Sequence, residues 1–434
     1  DYGPVTFTVP ANGAFHFSAD DLESGNPAKG IEGSTGPGTG RWRLELTSDA
    51  DIEALAYVRH ADGFLDPLHG TAPRDGGGLR LATVNPGSNW RQASHVRLSH
   101  RGAAPLAVRL AGTDDAGLAG GAVTVTLPAG GAASYGADAL ESGAGAGAEG
   151  RLGDGRGKWR ILAAADAPFT LVGLMEGPSG RLTNLSGPPL RPVDGKLVVP
   201  LLPSTADPWG RQGVLRVVNR SDAAGEVRVK ARDGSGMDYE PVTLAVGAGE
   251  AVHLNSHDLE TGGAAKGLTG STGPAHTGHW WLELSGGIDF EALAYVRHAD
   301  GFLTAIHGSA PAWGGARRVA TFNPGGNTRQ ASLLRLLNVG PAAAAVRITG
   351  IDDAGATGGP VTLTVPARRA VTLSARALEA GGGGLEGALG DGAGKWRLAV
   401  EAADGDAARL RVMGLVEGPG GRLSNLSARD PSRG

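Results

Sequence analysis

The sequence predicts an all-β chain: four tandem immunoglobulin-like β-sandwich domains in ABAB order, the first lacking its N-terminal strands. Three observations predict this: internal repetition at two periods, short runs in which apolar and polar residues alternate, and a skewed composition. The 434 residues include 74 Gly and 26 Pro, and only 5% are aromatic. Gly and Pro at that density favour turns and thin sheets over long helices. The chain also exceeds the roughly 250–300 residues at which a single core stops growing, so several domains are expected.

The repetition sets the number of units. EALAYVRHADGF occurs at 53–64 and again at 291–302, 238 residues later, so the two halves are duplicates. A fainter repeat runs inside each half. Trp42, Trp159, Trp280 and Trp396 each follow a Gly-rich loop and open an alternating run, at spacings of 117, 121 and 116. Leu22-Glu23, Leu140-Glu141, Leu259-Glu260 and Leu378-Glu379 recur at spacings of 118, 119 and 119. Four residues before each of these Leu stand Ser18, Gly136, Asn255 and Ser374, residues that favour a helix N-cap, which predicts one helical turn per unit. The first and third units carry the hairpin VRHADGF (type A), and the second and fourth carry MEGPSGR and VEGPGGR (type B). The resulting domains are 1–75 (A), 79–190 (B), 196–312 (A) and 316–427 (B), with a tail at 428–434.

The local pattern is β throughout. Trp42, Leu44 and Leu46, or Trp280, Leu282 and Leu284, alternate with polar neighbours at the period of a half-buried strand. Further strands are expected at 5–9, 123–127, 242–246 and 361–365, and around Val214, Val227, Leu333 and Val346. Asp62-Gly63 and Asp300-Gly301 sit where apolar runs reverse, matching a tight hairpin turn that demands positive φ. Seven or eight short strands in about 110–120 residues are the signature of an immunoglobulin-like sandwich. The joints are patterned too: LATVNPGSNWRQAS (81–94) and VATFNPGGNTRQAS (319–332) introduce the B units, and 198–213, with Pro203, Pro208 and Arg211-Gln212, introduces the second A unit. Short Pro/Gly joints of this kind predict a semi-rigid rod.

One irregularity stands out. Asp1-Tyr2-Gly3-Pro4 aligns with Asp238-Tyr239-Glu240-Pro241, and Leu185 aligns with Leu426. The first A unit therefore has no counterpart of positions 194–237, a deficit of 44 residues, and the sequence reads as if cut from a longer regular array.

Composition narrows the partners. Net charge is −4 and the pI about 6.3, with acids and bases interspersed, so neither nucleic acid nor an anionic membrane is an expected partner. With no cysteine there is no disulfide, thiolate metal site or cysteine nucleophile. No run of 18 apolar residues occurs, so no membrane insertion is expected. No signal-peptide pattern opens the sequence, and export is inferred from a mature or trimmed start. Lysine is scarce among the 40 cations (Lys29, Lys158, Lys196, Lys230, Lys266 and Lys395), a bias that fits a GC-rich bacterial genome.

No catalytic or cofactor-binding residue is assigned, because nearly every candidate recurs once per repeat and is better explained by the fold than by one active site. His16, His60 and His69, with their counterparts His253, His298 and His307, belong to A units alone; a metal site lacks a third ligand at tight spacing. Asp114-Asp115 and Asp352-Asp353, in GTDDAG and GIDDAG, are weak calcium candidates, and the same residues make good hairpin turns. The loops at 151–159 and 388–396 fail as phosphate loops, since Trp follows the Lys and a strand follows where a helix should begin. The four aligned tryptophans are expected in the core, whereas Trp90, Trp209, Trp281 and Trp313 are freer to be exposed, three of them near joints.

The succession of DDAG-type hairpin, VTLTVPA, Leu-Glu turn, Gly-rich loop, GKWRL and terminal hairpin resembles the tandem immunoglobulin-like β-sandwich repeats of large secreted or surface proteins of proteobacteria. The resemblance covers the whole chain and carries over no functional residue. It implies export to the cell surface or medium and a structural, adhesive or matrix role, with self-association, other surface proteins or glycans as partners. A first unit without its opening strands leaves a sheet edge that a neighbouring chain could complete by strand addition. The alternative is an accessory carbohydrate- or cell-wall-binding segment of a secreted hydrolase, with no enzyme within these residues.

Overall fold

The computed structural model describes residues 2–313, 315–406 and 409–427. Among them the protein is all-β, with seven separate antiparallel sheets and four helices of six residues. The third unit displays the plan in full. One sheet orders Lys196–Leu202, Trp280–Gly286, Gly225–Arg232, Val242–Val246 and Leu268–Thr269; the other orders Ala251–Asn255, Gln212–Asn219, Phe290–Arg297 and Leu303–Ala305. Leu282, Leu284, Val227, Val229, Leu215, Val217 and Ala294 meet in one core between the two sheets, an arrangement consistent with a β-sandwich. The second and fourth units repeat this order around Trp159–Ala164 and Trp396–Ala402.

The two sequence markers meet in space. The helices run Ala19–Ser24, Ala137–Ser142, Ser256–Thr261 and Ala375–Ala380, and their N-caps are Ser18, Gly136, Asn255 and Ser374. Each helix buries its Leu and presents its Glu to the Trp. Trp159 Nε1 donates to Glu141 at 2.8 Å, Trp280 to Glu260 at 2.8 Å, Trp396 to Glu379 at 3.0 Å and Trp42 to Glu23 at 2.5 Å. A buried indole N–H needs such a partner. The Gly-rich loop packs on the ring: a Cβ on Gly155 or Gly392 would lie 2.4 Å from Trp159 or Trp396 Cζ2, which only glycine avoids. Glu141 and Glu379 also accept from the N–H of Gly87 and Gly325, tying each NPG joint to the helix of its own unit.

The first unit departs from this plan. Its counterparts of the Val242–Val246, Ala251–Asn255, Trp280–Gly286 and Phe290–Arg297 strands are 5–9, 14–18, 42–48 and 52–59. Of these only Tyr57–Arg59 forms a strand, paired with Leu65–Pro67, and Thr6 makes a single bridge to Glu32. The expected strands at 5–9 and from Trp42 to Leu46 are therefore not formed, for a physical reason. In the third unit those strands pair with Lys196–Leu202, Gln212–Asn219 and Gly225–Arg232, two of which are central in their sheets. Without counterparts of these three in this sequence, the 42–48 segment pairs with no strand among the described residues. The Trp42 segment leans instead on the second unit, with Arg43 donating to His100 O and Gly130 O, both at 2.8 Å.

The expectation of a rod is overturned. The third unit meets the second through Ala251 N donating to Asp115 O (2.8 Å), His253 on Asp115 (3.1 Å) and Arg160 on Gly249 O (2.5 Å). The first unit meets the fourth in the same way: Ala14 N to Asp353 O (3.0 Å), His16 on Asp353 (3.1 Å), and Arg397 on Asn12 O. The four units thus return on themselves with approximate two-fold symmetry. The polar DDAG and helix-capping strands make those contacts, and the short joints keep adjacent units touching.

Candidate functional site

Two places distinguish this chain from a plain row of sandwiches. The first is the uncovered side of the first unit. Leu44, Leu46 and Val9 are 43%, 40% and 39% exposed, where their counterparts Leu282, Leu284 and Val246 are 0%, 0% and 2%. Phe7, Phe15 and Phe17 cluster there, with Phe7 stacked on Phe15 at 4.7 Å between centroids. Apolar side chains thus lie exposed beside the 42–48 backbone, which forms no strand, the setting that strand addition requires.

The second is the centre of the molecule, where the terminal hairpins of all four units converge. The Asp-Gly turns are formed as expected, with Gly63 at φ 89° and Gly301 at φ 84°. Arg181 bonds Asp62 at 2.5 Å and Asp300 at 3.1 Å; Arg422 bonds the same two at 3.0 and 2.8 Å. Beneath this square of charge Phe64 and Phe302 meet edge to face at 6.0 Å, each stacked on its own unit's histidine, His60 or His298. Gln92 of one NPG joint donates to Gly301 O and Gln330 of the other to Gly63 O, both at 2.7 Å. Burial and the surrounding guanidinium groups hold both imidazoles below their ordinary value, His298 at about 4.

One pair breaks the symmetry. Thr304 of the third unit donates to Leu423 O at 2.8 Å, while the corresponding residue of the first unit is Asp66, fully buried, with Ser424 Oγ at 3.1 Å. Burial pushes the Asp66 carboxyl up to about 7 against the hydroxyls of Thr183 and Ser424.

The calcium candidates lie at the unit junctions. Asp114 accepts from the N–H of Ala116, Leu118 and Arg156 at 2.8–3.0 Å, and Asp352 from Ala356 and Ala393 at 2.8 Å. Asp115 accepts from Lys158 N, Arg216 and His253; Asp353 from Lys395 N and His16. Burial opposes ionisation of Asp115, but the His253 hydrogen bond and the Arg216 charge outweigh it and hold the carboxyl at about 2. A cation would have to displace these donors. Among the described residues no group of three or more His, Asp or Glu side chains is placed to hold a metal. His69 and His307 bond the backbone of Ala56 and Ala294, away from His60 and His298.

Of the tryptophans expected to be exposed, Trp90 and Trp209 are, at 70% and 49%. Trp281 is not: it is fully buried under the Arg232 guanidinium, 4.6 Å from its ring centroid. It follows Trp280 on one strand and so faces the opposite side of the sheet, which the fold covers as well. The side chain of Trp313 lies outside the described residues. Residue patterns gave no hint of Arg181, Arg422 or Asp66. The signal available was the contrast within the duplicated hairpins, Asp66 against Thr304, and the Arg shared by both B-type hairpins.

No protein-family model matches the chain, and no curated protein or solved structure matches it.

Proposed function

We propose that this chain is a non-catalytic structural or adhesive protein of the cell exterior, built from four immunoglobulin-like sandwich repeats, whose first repeat takes up β-strands from another polypeptide segment. Supporting the immunoglobulin-like reading, Gln212–Asn219 pairs with Ala251–Asn255 and Gly225–Arg232 with Trp280–Gly286, as the central strands of that fold do. Two strands sit in exchanged sheets, Lys196–Leu202 beside the Trp280 strand and Phe290–Arg297 beside Gln212–Asn219. The observation that carries the functional reading is the exposure of Leu44 and Leu46 on strand backbone whose counterparts are buried and paired. Copies that complete one another in this way form an assembly, a filament or matrix. Sedimentation over a hundredfold concentration range, with imaging of the products, tests this. Self-association that Leu44→Asp/Leu46→Asp abolishes supports it; a monomer at every concentration whose first unit resists proteolysis overturns it.

A second reading is accessory carbohydrate or cell-wall binding beside a secreted hydrolase. Trp90, exposed with the Arg91 guanidinium 5.1 Å from its ring centroid, is the feature that favours it. Trp209 lies against Gly421 at a junction and Trp281 is buried, so among the described residues no row of tryptophan platforms accompanies Trp90. Loss of glycan retention in Trp90→Ala, with stability unchanged, decides for this reading.

A further inference from the structure

We propose that the junction between the third and fourth units binds a small carboxylate anion the size of acetate, held by Arg335, Thr372 and the backbone of His279. The anion takes the place that an aspartate side chain fills in two other junctions of the ring.

Those two junctions show the donor set. Where the second unit meets the third, the Asp115 carboxylate accepts from Lys158 N at 2.7 Å and from Arg216 Nη1 at 2.5 Å, and lies 3.1 Å from His253 Nε2. Where the fourth meets the first, Asp353 accepts from Lys395 N at 2.7 Å and lies 3.1 Å from His16 Nε2. In both, a Cβ on the glycine before the lysine, Gly157 or Gly394, would collide with that carboxylate.

The junction of the third unit with the fourth keeps the donors and lacks the acid. Arg335 and Thr372 are strand partners as Arg216 and His253 are, with Arg335 Nη1 3.5 Å from the Thr372 hydroxyl. His279 stands where Lys158 does, one residue before the core tryptophan, and among the described residues its backbone N–H has no acceptor. Asp233 accepts from the amides of Ser235 and Met237 as Asp114 accepts from those of Ala116 and Leu118, so the counterpart of Asp115 is Gly234. The hairpin meets the next unit alike in both places: a Cβ on Gly236 would lie 2.7 Å from Arg368 O, and one on Gly117 2.7 Å from Ala248 O. A Cβ on Gly278, the counterpart of Gly157, would meet nothing within 4 Å, so no protein atom takes the place of the Asp115 carboxylate.

Arg335 is thereby a buried cation without a counterion. It is 5% exposed, bonds Pro200 O through Nε at 3.2 Å, leaves Nη2 without a partner, and among the described residues makes no ion pair. Arg216 also leaves Nη2 unbonded, but Asp115 on its Nη1 offsets the charge. His279 Nδ1 is buried without a partner too. Asp207 approaches the other ring nitrogen at 3.7 Å, yet both its oxygens already accept from Arg211 Nε, at 3.0 and 3.1 Å. Burial lowers both Arg335 and His279 from their ordinary values, and the Arg335 charge lowers His279 further. The strand position of Glu291, which pairs with Arg80 in the second junction, is held here by Arg411. An unpaired buried guanidinium is costly, and a carboxylate is the planar acceptor that matches its fork. Acetate is the aspartate side chain cut at the Cα–Cβ bond, so beside Gly234 it rebuilds the group the other junctions carry. Exposed Thr372 and Gly278 give it a path from solvent.

The experiment replaces chloride by acetate at fixed ionic strength and reads Tm together with the saturation transferred from the whole chain to the acetate methyl protons. Both should respond in the unaltered chain. Gly234→Asp supplies the carboxylate in place; Gly234 lies outside the left-handed region, and the added Cβ would come no closer than 3.3 Å to Thr277 O. This variant should raise Tm in chloride toward the value the unaltered chain reaches in acetate, and lose the methyl saturation. The general effect of exchanging one anion for the other is common to both proteins, so their difference reports the site. Asp115→Gly, the converse change, should lower Tm in chloride and regain about half of the loss or more in acetate. A Tm response equal in the unaltered chain and in Gly234→Asp overturns the inference, as does methyl saturation that persists in Gly234→Asp. A Tm that falls as acetate replaces chloride, in the unaltered chain alone, assigns the place to a halide and overturns the carboxylate.

Discussion

The indole N–H of Trp280 donates to Glu260 at 2.8 Å, and the same carboxylate accepts from Thr205 N at 3.0 Å and from the Thr205 hydroxyl, so one buried Glu joins the core strand, the helix and the joint of its unit. Glu260→Ala strands a fully buried indole N–H and the Thr205 amide together. Leaving such donors unsatisfied costs about 1–3 kcal/mol. Glu23→Ala, facing a half-buried Trp42 with no joint to hold, should cost less than about 1 kcal/mol by the same reasoning. Urea unfolding of the two variants measures the difference; equal losses would show that the first unit is closed as tightly as the third.

The central square offers a test of ring closure. Arg181 and Arg422 each bridge Asp62 and Asp300, so either one alone still ties the two A-type hairpins together. These groups are partly exposed, and each single Arg→Ala change should cost only about 0.5–1 kcal/mol. The double change leaves two carboxylates facing each other with no cation between them and should cost more than the sum of the singles. A double-mutant cycle followed by small-angle scattering checks both points: additive losses with an unchanged radius of gyration would mean that the square does not hold the ring.

Much of the fold could be read from local pattern, and the reasons are particular. Ser18, Asn255 and Ser374 cap their helices because capping needs only three neighbouring residues. Val242–Val246 is a strand because its alternation is a local property. The run from Trp42 to Leu46 has the same alternation and forms none, because a strand also needs partners far along the chain. The rod expectation failed for a related reason. Joint length reports adjacent units only, whereas closure depends on His16 meeting Asp353 and Arg422 meeting Asp62, more than 300 positions away. Asp66 went unread because a buried carboxylate looks like a surface one in sequence.

Calcium should leave the molecule unaffected. Both oxygens of Asp114 and of Asp352 accept backbone N–H groups that close the hairpin and the Gly-rich loop beside it. A metal would have to replace these with ligands the site does not offer. Thermal unfolding in millimolar calcium and in chelator should therefore give the same Tm, whereas Asp114→Ala or Asp352→Ala should lower it in either condition. A calcium-dependent rise in Tm that either substitution removes would reverse this assignment.

Asp66 gives the centre a pH dependence whose sign follows from its burial. Its carboxyl titrates near 7 in the folded chain and near the ordinary 3.9 when unfolded, so the folded state binds the proton more tightly. Stability from this group is fully present below the unfolded value and is lost as pH rises through about 7. His60 and His298 act oppositely, since their lowered values withdraw stability as pH falls below the ordinary histidine range near 6.5. Asp62 and Asp300, held below the ordinary carboxylate range against burial by backbone hydrogen bonds and the guanidinium groups beside them, stay ionised across this window in the square above. The Asp66 loss accrues between about pH 4 and 7 and is complete above 7, so comparison with a chain lacking this carboxyl separates it from the histidines. Asp66→Thr, which copies Thr304, should raise Tm at pH 8 and flatten the fall that Asp66 causes between about pH 4 and 7, with the least change below about pH 4. Parallel Tm curves for the two proteins would mean that the Asp66 carboxylate is solvated and that the asymmetry at the centre carries no titration.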